Sequence, residues 1–153
     1  MKAEYVNPFL QAASLVFNQL LQVDLIRGKT VVKNSLAPGQ EIAIYIDVTG
    51  PVNGRVIYSM TSDGARKIFE KLGGTPESFD QEYRDVLGEI ANMITGNALN
   101  IFLSRNEFLD VSVPVVVDTR TTPFPAKNDT TLGLNMYSPL GMIDINISLR
   151  EAA

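Results

Sequence analysis

Between Glu41 and Val48 the chain reads EIAIYIDV, in which Ile42, Ile44, Ile46 and Val48 alternate with Glu41, Ala43, Tyr45 and Asp47. That two-residue period is the mark of a half-buried strand. After the turn-rich TGPVNG, the stretch RVIYSM supplies a partner, so the pair reads as a hairpin. Upstream, Phe9, Ala13, Val16, Leu20 and Val23 recur at helical spacing. Asn7 followed by Pro8 has the form of a helix cap and first helical residue, which predicts an opening helix of roughly four turns.

TSDGARKIFEKLGG begins with capping residues and ends in two glycines, the start and stop signals of a short helix. TPESFDQEYRDVLGEIANMITGNALNIFLS then opens with Thr75 before Pro76 and runs without another proline until Pro114. It predicts the longest helix, about seven turns. DVSVPVVVD, TLGLNMYS and GMIDINISLR read as three more strands, the last two joined by a tight PLG turn, and TVVK suggests a further short one. In the final strand Ile143, Ile145, Ile147 and Leu149 oppose Asp144, Asn146 and Ser148, so one face should be buried. Pro114 cannot donate a ladder hydrogen bond, which places its strand at an edge or gives it a bulge. The polar loop TRTTPFPAKND is either an ordinary flexible connection or a functional segment. Together the elements predict an α+β fold: a largely antiparallel sheet of five or six strands covered by helices, one of them long.

A length of 153 residues and a hydrophobic content of 45% suit a single domain spanning residues 1–153. With 20% charged residues, mean hydropathy of +0.07 and no apolar run near the ~20 residues a span requires, neither disorder nor a membrane segment is expected. The net charge of -4, with none of the 13 basic residues forming a run, argues against nucleic acid as a partner. Glu4, Gln11, Asn18 and Gln19 interrupt what would be a signal peptide, so a cytoplasmic location is expected. The triplets at Asn128 and Asn146 that match glycosylation acceptors then read as chance. Cysteine and histidine are both absent, which removes thiolate chemistry and the commonest general base and metal ligand. Any catalysis must use carboxylates, amides, hydroxyls or groups of a partner.

The long helix is where such groups collect. At about 100° per residue, Phe79, Tyr83, Val86, Ile90, Ile94 and Ile101 form an apolar face, while Glu89, Gly96, Asp85 and Asn92 point about 100° to 160° to one side of Ile90. Glu89 and Asn92 therefore share an open or partly open face. Gly96 in a helix interior costs about 1 kcal/mol relative to alanine. Either a foreign backbone approaches there or a neighbouring element of the same fold packs against it. Asn97 falls on the apolar face and is expected to be structural, with hydrogen-bond partners in the core. Glu4 and Asn7 repeat the Glu-x-x-Asn spacing, but Asn7 is accounted for as a cap.

GEIANMITGNAL, preceded by TGPVNGRVIYSMTSDGARKIFEKLGG and the opening NPFLQAA, resembles the CheX branch of the CheC/CheX/FliY phosphatase family of bacterial chemotaxis. The resemblance covers most of the chain, and Glu89 and Asn92 match the family's catalytic pair. CheC-type members carry two such helices; this chain has one convincing copy. The resemblance implies hydrolysis of the aspartyl phosphate on a CheY-like receiver domain, with Asn92 holding the attacking water and Glu89 pairing with a receiver lysine. Gly96 and Asp85 join the docking face, Gly96 on geometric grounds alone. Mg2+ is expected from the receiver, and no cofactor of the chain's own. A homodimer through sheet edges is also implied. The alternative is a non-catalytic adaptor of the same fold that docks on a receiver or flagellar-switch partner.

Overall fold

The computed structural model describes residues 3–152. Three helices lie on one face of a seven-stranded antiparallel sheet: α1 (Ala3–Leu21), α2 (Ser62–Lys71) and α3 (Phe79–Leu103), the last entered through a 3-10 turn at Pro76–Ser78. The strands are β1 (Ile26–Lys33), β2 (Ile42–Thr49), β3 (Val52–Met60), β4 (Asp110–Val111), β5 (Val115–Asp118), β6 (Thr131–Ser138) and β7 (Gly141–Glu151), in the order β1-β6-β7-β3-β2-β4, with β5 also on β2. The α+β architecture and the antiparallel sheet follow the expectation, but DVSVPVVVD, expected as one strand, is split into β4 and β5, which makes seven strands rather than five or six.

The predicted hairpin is β2–β3, and its alternating isoleucines are buried under the helices. Pro114 falls where the edge strand is interrupted. β2 pairs Val48 with Val111 and then Tyr45 with Val115, with two residues between the pairs on β2 against three on the other side. The extra residue is a bulge, and Pro114 lies both in it and at the sheet edge, where no ladder donor is required.

The expectation for α1 is corrected. The helix begins at least four residues before Asn7, and Pro8 lies inside it. A proline there has no N–H for the carbonyl four residues back. The Glu4 carbonyl instead accepts a hydrogen bond from the Arg105 guanidinium at 2.6 Å, so a residue just past α3 repairs the missing rung. Asn7 is therefore a helix-interior residue and caps nothing.

The final strand differs from the expectation of one buried face. Ile143, Ile145, Ile147 and Leu149 enter the helix-side core, yet Asp144, Asn146 and Ser148 on the opposite side are buried too. Asn146 donates to Asp144 at 3.0 Å and accepts from Lys33 at 3.1 Å, so these two buried polar side chains are partnered. On this side Leu36, Ala43 and Ile57 make a second small core, against which Tyr45 and Phe124 pack edge to face. The TRTTPFPAKND loop supplies Phe124 and is tied down by Lys127 pairing with Leu36. It is a packed strap.

α3 is long and apolar enough to cross a membrane by length and composition alone, but its apolar side forms the core. Leu87, Ile90, Ala91, Ile94, Ala98 and Phe102 are buried, whereas Val86 and Ile101 are only half-buried. The buried side is thus centred about 60° from Ile90, away from Glu89. That rotation carries Gly96 to the pole opposite the core, with Glu89 and Asn92 on either side of it.

Candidate functional site

The surface of α3 around Asn92 is built by what its neighbours lack. On a helix the nearest side chains to a residue lie three and four positions away. For Asn92 these are Glu89, Gly88, Thr95 and Gly96, and Thr95 is buried at 3% exposure. Of these four positions only Glu89 presents an exposed side chain beside the amide. Glu89, Asn92 and Asp85 are all exposed, and none has an intramolecular hydrogen bond or ion pair among the described residues.

The electrostatics are one-sided. Asp85 and Glu89 stand four residues apart, a like-charge spacing that disfavours the helix by a few tenths of a kcal/mol. No lysine or arginine occupies a position three or four residues from Glu89 to offset them. Arg84 is the nearest cation in sequence, but its guanidinium donates to the Val116 carbonyl at 2.8 Å. That bond ties α3 to β5 across 32 residues and leaves the carboxylates unneutralised. Met93, 37% exposed, adds a flexible apolar contact beside them.

The structure removes one of the two readings of Gly96. A Cβ built on it meets no atom within 4 Å, so no element of the fold packs there. Its backbone is ordinary helix without a positive φ, so the glycine satisfies no conformational need of the chain. A cost of about 1 kcal/mol relative to alanine is thus carried at an open surface. Asn97 requires a correction: it is half-exposed rather than in the core. Its amide donates to the Met93 carbonyl at 2.8 Å, a local helix contact, and in that sense it is structural.

Among the described residues no group of three or more histidine, cysteine, aspartate or glutamate side chains could hold a metal ion. What α3 offers is an exposed neutral amide and two free carboxylates on a rigid helix. An amide both donates and accepts hydrogen bonds, so it can orient a water without repelling an anion. A free carboxylate suits a partner's cation. The sequence pointed to Glu89, Asn92, Gly96 and Asp85 as candidates, and the fold brings them to one face. It did not point to Gly88, four residues before Asn92, or to Arg84, whose link to Val116 has no local signature.

Residues 42–131 match the family model described as chemotaxis phosphatase CheX, 90 residues that contain the whole of α2 and α3. The CheY-P phosphatase CheX of Thermotoga maritima is 25% identical over 122 residues, 78% of this chain and 79% of that one. A CheC-like superfamily protein from Shewanella sp. PV-4 superposes with a TM-score of 0.85 at 25% identity, covering 98% of this chain and 99% of the other. The CheX–CheY–BeF3–Mg2+ complex from Borrelia burgdorferi matches with a TM-score of 0.79 at 26% identity over 96% and 98% of the two chains.

Proposed function

The chain belongs to the CheX family of chemotaxis phosphatases, and from that premise we propose that it hydrolyses the aspartyl phosphate of a CheY-like receiver domain in the cytoplasm. The single observation that carries the reading is the exposed, unpartnered Glu89–Asn92 pair on the face of α3 opposite the core.

An acyl phosphate is already activated, so the barrier falls chiefly through positioning and charge stabilisation. In this reading the Asn92 carboxamide holds a water in line with the scissile bond. The water oxygen bonds to phosphorus, the bond to the receiver's aspartate oxygen breaks, and inorganic phosphate leaves with the carboxylate restored. Mg2+ belongs to the receiver, in keeping with the relative captured with CheY, BeF3 and Mg2+. Glu89 pairs with a receiver lysine, Asp85 adds a second negative charge to the docking face, and Gly96 lets the receiver approach the helix. The unneutralised carboxylates favour a cationic contact on the partner.

The reading includes a homodimer formed through a sheet edge. At the β5 edge, Arg84 already occupies the Val116 carbonyl, whereas β1 is the terminal strand at the other edge and exposes Ile26, Val31 and Val32. β1 is the edge that supports pairing with a second copy. Light scattering at micromolar concentration should give twice the chain mass; the mass of one chain would remove this part.

The activity is tested by phosphate release from a purified phosphorylated CheY-type receiver with Mg2+. Catalytic amounts of this protein should shorten the lifetime of the phosphoryl group severalfold or more. Binding with an unchanged lifetime would leave an adaptor instead.

A further inference from the structure

We propose that Gly88 and Gly96 act as a pair that strips both flanks of Asn92, so that the amide stands as a lone post and the receiver's backbone can close around it. The proposal rests on the phosphatase reading and assigns a specificity-determining role to backbone positions beside the amide. Gly88 lies four residues before Asn92 and Gly96 four residues after it. Side chains on a helix lean toward its N-terminus and cover the turn before their own Cα. Asn92 therefore leans over Gly88, and any side chain at position 96 would lean over Asn92. One glycine leaves the amide free to turn; the other leaves it without a roof.

Neither glycine is demanded by the chain's own packing. A Cβ at Gly96 stands in open space, and one at Gly88 meets only the Val116 Cγ2 methyl at 3.9 Å, an ordinary contact. Both sit inside α3 with no positive φ. Two interior glycines, each disfavoured in a helix, thus border a single exposed amide. A solvated polar face has no use for them, whereas a surface that must admit a receiver's phosphate-bearing loop does.

The test separates a fold requirement from an access requirement. Gly96→Ala and Gly88→Ala should each raise Tm by about 2–4 °C, since alanine favours the helix and neither Cβ collides. Gly96→Ala should nevertheless lower kcat/KM for receiver dephosphorylation about tenfold, and the longer Gly96→Gln about a hundredfold, chiefly through KM. Equilibrium binding of a CheY-type receiver loaded with beryllofluoride and Mg2+ should weaken in the same order. A lower Tm for Gly96→Ala would overturn the proposal by making the glycine a need of the fold. Gly96→Gln with kcat/KM and receiver binding within twofold of wild type would overturn it as well. If wild type binds the loaded receiver but does not speed phosphate loss, the phosphatase reading fails, and the binding series still decides Gly96.

Discussion

The spacing Glu-x-x-Asn occurs twice in the helical layer, as Glu4 and Asn7 on α1 and as Glu89 and Asn92 on α3, and its surroundings differ at every neighbouring position. Four residues on either side of Asn7 stand Ala3 and Gln11; in the same places around Asn92 stand Gly88 and Gly96. Asn7 is half-buried and precedes a buried proline, and the turn it belongs to is held by Arg105. Asn92 is exposed in the middle of an unbroken helix whose opposite side forms the core. A motif of two residues carries little information by itself. What distinguishes the copies is whether a proline interrupts the helix beneath them and how much is cleared away around them.

The largest expected effect lies in exchanging the two asparagines. Asn92→Ala should lower kcat/KM for receiver dephosphorylation by about a hundredfold or more, the scale on which one oriented hydrogen-bonding group acts in a transition state. Asn7→Ala should stay within twofold of wild type. Equal losses would erase the distinction between the helices. Next in size, Glu89→Ala should lower kcat/KM about tenfold through a higher KM, as loss of a charged docking contact does, with kcat at saturation retained. A large fall in kcat would assign Glu89 to the chemistry instead.

Smaller effects concern stability. Arg105→Ala removes the hydrogen bond from the guanidinium to the Glu4 carbonyl and should cost about 1 kcal/mol, lowering Tm by about 2–4 °C with phosphatase activity intact. An unchanged Tm would show that water replaces the guanidinium freely.

The smallest effect probes the floor beneath α3, where Tyr58 lines a narrow apolar cavity with Ile90, Ala91 and Ile94. Its hydroxyl has no hydrogen-bond partner among the described residues, and burial pushes its pKa upward. An unfolded tyrosine ionises near pH 10. Above that pH the unfolded chain binds fewer protons than the folded one, so stability falls as pH rises. Tyr58→Phe removes an unpartnered buried hydroxyl, so it should be at least as stable as wild type near pH 7, and its advantage should widen by pH 11, read as Tm against pH. Parallel Tm profiles would remove this contribution.

Most of the fold could be read from periodicity because most elements bury one regular face. β2 alternates cleanly, α2 has its Thr61 cap, with the hydroxyl accepting from the Gly64 N–H, and α3 repeats its apolar positions for seven turns. The misreadings share a physical origin in distant contacts. Asn7-Pro8 looks like a helix start until Arg105, about a hundred residues away, supplies the bond that proline cannot. β1 shows hardly any alternation because it is exposed nearly throughout and is held by backbone pairing to β6. On the polar side of β7, Lys33 of β1 donates to Asn146 and the chain at Gly39 lies against Asp144, contacts that only the fold brings about. Glu89, Asn92, Asp85 and Gly96 were legible because a helix face is a local property. The role of Arg84 was not, since its partner Val116 is fixed only by the fold.

The central claim is that Asn92 acts on the chemical step and not merely in docking. Decay of the receiver's phosphoryl group, followed in a single turnover with saturating protein, removes differences in affinity. The account predicts that the Asn92→Ala protein, shown to be bound, leaves the decay near the receiver's own rate while wild type accelerates it. A bound Asn92→Ala complex that loses phosphate as fast as the wild-type complex would contradict it.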